Sequence, residues 1–464
     1  MVYGRVVVAG GGVGGLAAAL ALSRGGSEVL VLERDPLRDA SSADEAFAWE
    51  RPGAPQAHQT HGFLARIVVL LRERFPDVLD ALTREGCSTV SGTADLGEPR
   101  PGDEDLSILI VRRTTFEWTL RRAVDAEPGV EVRSGTGIAG LIGSSGRNGL
   151  ASVTGVVLED GTEVPADAVV AATGRRGDVG AWLAPLGAPV PETIRESGLV
   201  YLTRWYGVAD SFATPPGPKL GGDIGYLKYL IVPGDGGMLS ATLAVRSDDR
   251  ELRRVLSDPD RFERACRSLP GPDQWFGELD LEPVGGVRPM GGLMNRLRQF
   301  TDDAGRPVVS NFHAVGDAHT CTNPLYGRGC SLALVQAVLL ADAAAAHDDP
   351  TGVARAYEAA CSEEITPWYH HAVEIDRSGA DPARTDGPAA TANRFGAVMA
   401  AATTDPVIGR GMARLWNLLT KPADLAADAA FTARAAAIMA DPDTYPDPVP
   451  LGPSRQALLD ALAA

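Results

Sequence analysis

Apolar and polar positions follow three successive rhythms along this chain. Near the N-terminal end, Val6-Val7-Val8-Ala9 is an unbroken apolar run, the mark of a strand buried on both faces. It meets Gly10-Gly11-Gly12-Val13-Gly14-Gly15, and an Ala/Leu-rich helix then extends to Leu22. A second buried strand, Val29-Leu30-Val31-Leu32, ends at Glu33. A polar, irregular segment reaches to about Pro55, and helical periodicity spans 61–86, with Phe63, Leu64, Ile67, Leu70 and Leu71 on one face. A strand at 106–111 and a helix at 113–125 follow, the latter with Phe116, Leu120 and Val124 at helical spacing.

From Val130 the period changes to two. Strands are predicted at 130–133, 152–159 and 163–164, the last two joined by an Asp160-Gly161 turn. Ala168-Val169-Val170-Ala171-Ala172 returns to the buried-strand pattern. The region 198–300 reads as a separate antiparallel sheet, with a long strand at 199–206 and a hairpin at 226–232 and 238–245 around Gly234-Asp235-Gly236-Gly237. A short helix is expected at 258–268, and Val308-Val309 leads through His313-Ala314-Val315 into Gly316-Asp317. The last third is nearly all helix, with 331–347 and 351–375 punctuated by prolines. The apolar run 331–346, interrupted by Gln336 and Asp342, reads as a buried helix and not a membrane span.

Charge narrows the partners. The net charge is −17 with 464 residues, which argues against nucleic acid and anionic membranes as partners. The five cysteines, 87, 266, 321, 330 and 361, are scattered and lack Cys-x-x-Cys spacing. They read as reduced thiols in a cytoplasmic protein, and no secretory signal is legible.

Two stretches carry candidate chemistry. In the first, Gly10, Gly12 and Gly15 form Gly-x-Gly-x-x-Gly between strand and helix. Gly10 permits the turn, Gly12 lets a pyrophosphate approach the backbone, and Gly15 lets helix and strand pack closely. The N–H groups near Val13 and Gly14 open the helix toward phosphate. Glu33, followed by Arg34, stands where a carboxylate accepts from ribose hydroxyls. In the second, Gly316-Asp317 precedes Pro324-Leu325-Tyr326-Gly327-Arg328-Gly329-Cys330. Asp317 can accept from a sugar or ribityl hydroxyl, and Pro324 with the glycines shapes a loop for a flat ring. The alternative is a glycine-rich loop before a core helix.

Together with Arg113-x-x-Phe116-x-x-x-Leu120, these motifs resemble the FAD-dependent monooxygenase superfamily of para-hydroxybenzoate hydroxylase, nearest its epoxidase and geranylgeranyl reductase-like branches. Their order and spacing cover roughly residues 5–346. The resemblance implies a mixed α/β (α+β) fold: a discontinuous Rossmann-type FAD-binding domain over 1–185 and 301–346, an inserted antiparallel-sheet substrate domain over 186–300, and a helical C-terminal region over 347–464. It places Arg113 beside the FAD. Pro55-Gln56-Ala57-His58-Gln59-Thr60-His61 resembles the entry to the first long helix in epoxidase-like members, which puts Gln56 or a histidine against the cofactor. His58, His61 and Tyr326 are the candidate catalytic residues, with capping or surface roles as the plainer reading of the histidines; no metal site is expected. His313 and His319 read as loop structure ahead of acid–base groups, and Tyr201, Trp205, Tyr206, Tyr226 and Tyr229 as a packed face or a substrate wall.

The implied reaction is transfer of one oxygen from O2, through a flavin C4a-hydroperoxide, to an apolar small molecule, by epoxidation or hydroxylation and in secondary metabolism. An FAD-dependent alkene reductase and a non-catalytic lipid or prenyl binder are the alternatives. The aromatic hydroxylases carry Asp-Gly after the strand matching 168–172; here it is Thr173-Gly174-Arg175-Arg176. NADPH or an external flavin reductase is then the electron source, with direct, substrate-controlled NADPH reduction in question. The flavin halogenases' Trp-x-Trp-x-Ile-Pro motif is missing. The sequence leaves the oligomeric state open.

Overall fold

A computed structural model of the chain describes residues 2–146, 150–208, 220–379, 394–441, 444–445 and 452–463. The glycine-rich link at 143–149 thus lies partly outside the described residues. At the centre is a five-stranded parallel sheet in the order Phe312–Ala314, Ala168–Ala171, Arg5–Ala9, Glu28–Glu33, Val130–Ser134. The unbroken apolar runs have a direct cause. Val6 and Val8 point into one core, and Val7 points into another on the opposite face. The first core is covered by the helices Val13–Arg24, Ala65–Arg74, Arg113–Asp125 and Gly329–Ala346. The second is closed by the sheet built on Ala151–Leu158, which pairs with Ile138–Ser144, Glu163–Pro165 and Val309–Ser310.

Gly329–Ala346 has the length and composition of a membrane span. Its residues Leu332 to Val338 are nevertheless buried along the core, and it packs on Val13–Arg24, where Ala333 faces Gly14.

The second five-stranded sheet is antiparallel, in the order Gly221–Asp223, Leu227–Pro233, Met238–Arg246, Leu199–Val208, Leu281–Met290. Its strand Leu281–Met290 escapes a period-two reading because Pro283, Gly285, Gly286 and Pro289 interrupt the alternation, and the ladder with Leu199–Val208 is bulged between Thr203 and Trp205. A third sheet joins Glu192–Glu196, Met294–Arg298 and Thr320–Cys321, and so ties this region to the loop after Asp317.

Three local expectations need correction. The helical stretch 61–86 is two helices, Ala65–Arg74 and Pro76–Arg84, because Phe75 before Pro76 takes φ −139° and leaves the helical region. The stretch 351–375 is likewise two helices, Pro350–Glu364 and Thr366–Gly379, with Pro367 in the first turn of the second. Within the segment read as irregular, Ala43–Phe47 is a short helix: Ser42 accepts from Glu45 N, and the Glu45 carboxylate accepts from Ser41 N. The final helix, Arg455–Ala463, buries Leu458, Leu459 and Leu462 with Phe262 and Trp275 under the antiparallel sheet.

Candidate cofactor and substrate cavity

The glycines of the first motif do three different things. Gly10 has φ +112°, and a Cβ there would lie 2.5 Å from the Ala172 carbonyl oxygen. A Cβ on Gly15 would lie 1.9 Å from the Gly10 carbonyl oxygen, so this glycine exists for packing. Gly12 differs: its Cβ would meet no atom nearer than 4.0 Å, at Glu117 Oε2. The space in front of Gly12 is left open, as a backbone that must be approached by a ligand requires.

Glu33 is not a free carboxylate at the end of its strand. Its Oε2 accepts from Gly11 N at 2.7 Å and from Arg51 Nη2 at 3.2 Å, and its Oε1 accepts from Asp35 N at 2.8 Å. It locks the glycine loop, and Oε1 keeps a lone pair for one further donor. Arg51 also donates to Asp35 and to Glu117. Burial opposes the charged form of Glu117, but Arg113 and Arg51 outweigh it and hold the carboxyl below its usual range. Arg113 Nη1 lies 2.7 Å from Glu117 Oε2. Arg51 belongs to no sequence motif, and its role comes entirely from partners distant in the chain.

A cavity of about 420 Å³ opens along these groups. Gly10, Gly12, Val13, Gly14, Glu33, Arg34, Gln56 and Arg113 line it, with His61 and, across from them, Thr173, Gly174, Gly316, Asp317, Pro324, Gly327, Gly329 and Cys330. Tyr201 and Met290 of the antiparallel sheet close it. Residues more than 300 positions apart are brought together because the strand before Thr173 lies between the strand before Gly10 and the strand before Gly316 in the parallel sheet. Arg296 Nη2 donates to the carbonyls of Arg175 and Asp317, and Arg298 donates to those of Ala318 and Gly177. Two arginines thereby staple the Thr-Gly loop to the Gly-Asp loop. Burial pushes the Asp317 carboxyl up, against the pull of Arg175 and Arg296.

Three residues singled out from the sequence stand elsewhere. Gly15 packs behind the loop, as above. His58 does not line the cavity: its Nε2 is bonded to the Phe47 carbonyl at 2.7 Å, its ring meets Phe47 edge-on, and its own carbonyl accepts from Trp205 Nε1. It joins the first helix entry to the antiparallel sheet. Tyr326 also faces away. Its hydroxyl donates to Asp376 Oδ1 at 2.5 Å and its ring lies against the Arg328 guanidinium; burial and Asp376 raise its pKa far above the ordinary tyrosine value. Asp376, on Thr366–Gly379, also accepts from Asn295 and Asn323, and it anchors the loop that carries Pro324. Nothing local in the sequence marked that anchor.

Cys330 is held as a thiol, its pKa pushed up to about 11 by burial, and Cys321 is pushed well above the ordinary value for the same reason. Tyr201 and Trp205 are buried; Tyr201 lines the cavity, whereas Tyr206, Tyr226 and Tyr229 belong to the core under the sheet. His319 is bonded to Thr320 and Glu358 and stacks on Phe300.

His313 is fully buried against Tyr3 Oη at 2.9 Å, and burial lowers its pKa to about 3. Between that value and about 6.5 the unfolded chain binds the proton and the folded one does not, so stability falls as pH falls through this window. The expected slope from this group is about 1.4 kcal/mol per pH unit. Denaturant midpoints between pH 7 and pH 5 check it, and His313→Gln should flatten the slope by that share.

The cavity fits a dinucleotide. Thr173 Oγ1 and Thr322 Oγ1, both in its lining, are buried without a partner. The open backbone at Gly12 and the spare lone pair of Glu33 suit phosphate and ribose in turn.

Comparison with known proteins agrees with this geometry. Residues 5–49 match the FAD binding domain family. No curated protein matches the chain. Among solved structures it is similar to p-nitrophenol 4-monooxygenase PnpA from Pseudomonas putida DLL-E4, at 18% identity over 90% of this chain and 98% of that one, TM-score 0.60. It is similar to the anhydrotetracycline hydroxylase OxyS from Streptomyces rimosus, at 20% identity over 90% and 77%, TM-score 0.58. The Diels-Alderase PyrE3 of pyrroindomycin biosynthesis matches at 17% identity over 90% and 80%, TM-score 0.57. The chain therefore has the fold of these enzymes, built on an FAD-binding domain.

Proposed function

We propose that this chain is an FAD-dependent monooxygenase that transfers one oxygen atom from O2 to an apolar small molecule, by hydroxylation or epoxidation. The observation that carries the reading is the continuity of the cavity: one space runs from the glycine loop at Gly12 to Tyr201 and Met290 of the antiparallel sheet. Gly12, Glu33 and Arg113 would hold the dinucleotide at one end of this space, and Tyr201 and Met290 would bound the other. Bound FAD supplies the oxygen chemistry. The chain's own residues bind, orient and exclude water. Arg51, Arg113 and Glu117 fix the floor, Arg296 and Arg298 fix the two loops, and the sheet shapes the substrate end.

The Diels-Alderase PyrE3 shows that this fold is not confined to oxygenation. An alkene reductase stays the second reading, and a non-catalytic FAD-fold binder the third. Stopped-flow reoxidation of the reduced protein by O2 separates them: a transient distinct from both reduced and oxidised flavin is expected, and direct one-step reoxidation would count against oxygen transfer. As for the donor, Thr173 stands in place of the acidic residue of the aromatic hydroxylases. NADPH alone should reduce the protein slowly, or an external reductase should be needed. Rapid anaerobic bleaching by NADPH that depends strongly on substrate would contradict this.

Arg113 offers a further check. It lines the cavity with its charge held by Glu117. Arg113→Ala should raise the FAD dissociation constant by about tenfold or more, the worth of one charge-assisted contact. An unchanged titration would remove Arg113 from the site.

A further inference from the structure

His58 and His61 lie in one short segment and each holds a backbone carbonyl through one ring nitrogen, yet only His61 lines the cavity. His58 Nε2 is taken by Phe47. His61 Nδ1 lies 2.9 Å from the Gln59 carbonyl oxygen, which can only accept, so Nδ1 carries the hydrogen. In the neutral ring Nε2 is then an unprotonated acceptor. No described residue donates to it, and the ring lines the cavity. Burial, with Arg113 adding to it, holds the ring neutral, at a pKa of about 3.

The neighbours sharpen the pattern. Gln59 is engaged at both ends: Oε1 accepts from Thr203, and Nε2 donates to the Arg288 carbonyl. Thr242 Oγ1 lies 2.6 Å from Thr203 Oγ1 and 2.8 Å from Thr60 Oγ1. Thr203 spends its one hydrogen on Gln59, so Thr242 donates to Thr203 and Thr60 donates to Thr242. Thr60 also lines the cavity. This wall therefore presents acceptors only, His61 Nε2 and the Thr60 oxygen. Gly62, next in sequence, packs against Gly327, so the pair stands beside the loop that carries Gly329.

We infer that His61 Nε2 is a fixed, neutral hydrogen-bond acceptor for an N–H or O–H group of the bound ligand. Two groups carry such a donor: the imide N–H of a flavin ring, and a hydroxyl on the substrate. The inference rests on the FAD reading for the first source. It makes His61 a binding and orienting residue. A ring so resistant to protonation holds a hydrogen bond and does not store a proton.

Three measurements test it. In protein labelled with 15N-histidine, the His61 signal, assigned by its loss in His61→Phe, should show a protonated Nδ1 and an unprotonated Nε2 at neutral pH. Flavin-stripped protein should bind FAD about tenfold more tightly than FAD methylated at ring N3, the worth of one hydrogen bond, if the donor is the flavin imide. Holo-protein should bind 1-naphthol about tenfold more tightly than naphthalene, read from the flavin spectrum, if the donor is a substrate hydroxyl. His61→Phe, and the smaller His61→Asn as a second variant, should erase whichever preference the wild type shows. Protonated Nε2, or no preference in either arm that depends on His61, overturns the inference. A protein that takes up no flavin overturns the cofactor reading instead, and the nitrogen spectrum then decides the state of His61 by itself.

Discussion

Gly12→Val is expected to give a folded, colourless protein. A Cβ at Gly12 meets no protein atom nearer than 4.0 Å, so the substitution begins without backbone overlap. Gly12 sits at φ −85° and ψ −175°, extended backbone that valine adopts readily. The volume it fills is the approach to the loop. Losing two backbone contacts to a phosphate should weaken FAD by about a hundredfold or more. Gly15→Ala is the opposite case. Its Cβ would overlap the Gly10 carbonyl oxygen at 1.9 Å, so the strand-to-helix turn must open, and overpacking of this kind costs about 1–3 kcal/mol or more. The pair of variants separates binding from folding: Gly12→Val keeps the thermal midpoint and loses flavin, whereas Gly15→Ala loses the midpoint. Full flavin content in Gly12→Val would place the cofactor elsewhere.

The second large effect is expected at Asp235. This residue, in the hairpin turn of the antiparallel sheet, accepts from Arg112 N, Nε and Nη2 and from Thr115 Oγ1. Arg112, just ahead of the helix Arg113–Asp125, is equally buried and lies over the Phe47 ring. Among the described residues the only other carboxylate on its guanidinium is Asp44, whose side chain is 80% exposed. Asp235→Ala leaves a buried cation with half its partners, and breaking such a pair costs about 3–5 kcal/mol. Because the contact joins the antiparallel sheet to the helix that presents Arg113, the variant should also lose flavin more readily. Urea denaturation measures the first effect and flavin release at sub-denaturing urea the second. Asp235→Asn, which keeps acceptors but no charge, should fall between.

How much of this was legible in the sequence follows the range of the interactions. The runs Val6-Val7-Val8-Ala9, Val29-Leu30-Val31-Leu32 and Ala168-Val169-Val170-Ala171 announced themselves because both faces of those strands are buried and these positions are apolar, whereas the edge strand Val130–Ser134 alternates and is largely exposed. The glycine loop was legible because its residues are consecutive. The strand Leu281–Met290 was not, since prolines and glycines occupy its rhythm. The break at Pro76 was written in the sequence but hidden by helical periodicity on both sides of it. Histidines 58 and 61 looked equivalent as letters. Each engages one backbone carbonyl, and only the packing of His58 against Phe47, away from the cavity that His61 lines, distinguishes them. Arg51 and Asp376 draw their roles from partners up to 81 residues away, and no local pattern encodes such a partner.

The most direct measurement of the central claim is the flavin content of the purified protein. After denaturation, the released cofactor is separated by chromatography and counted against protein, for the wild type and for Gly12→Val. The account predicts one FAD per wild-type chain and almost none for the variant, with both proteins folded. A nicotinamide dinucleotide in place of FAD, or equal FAD in the two proteins, would contradict it.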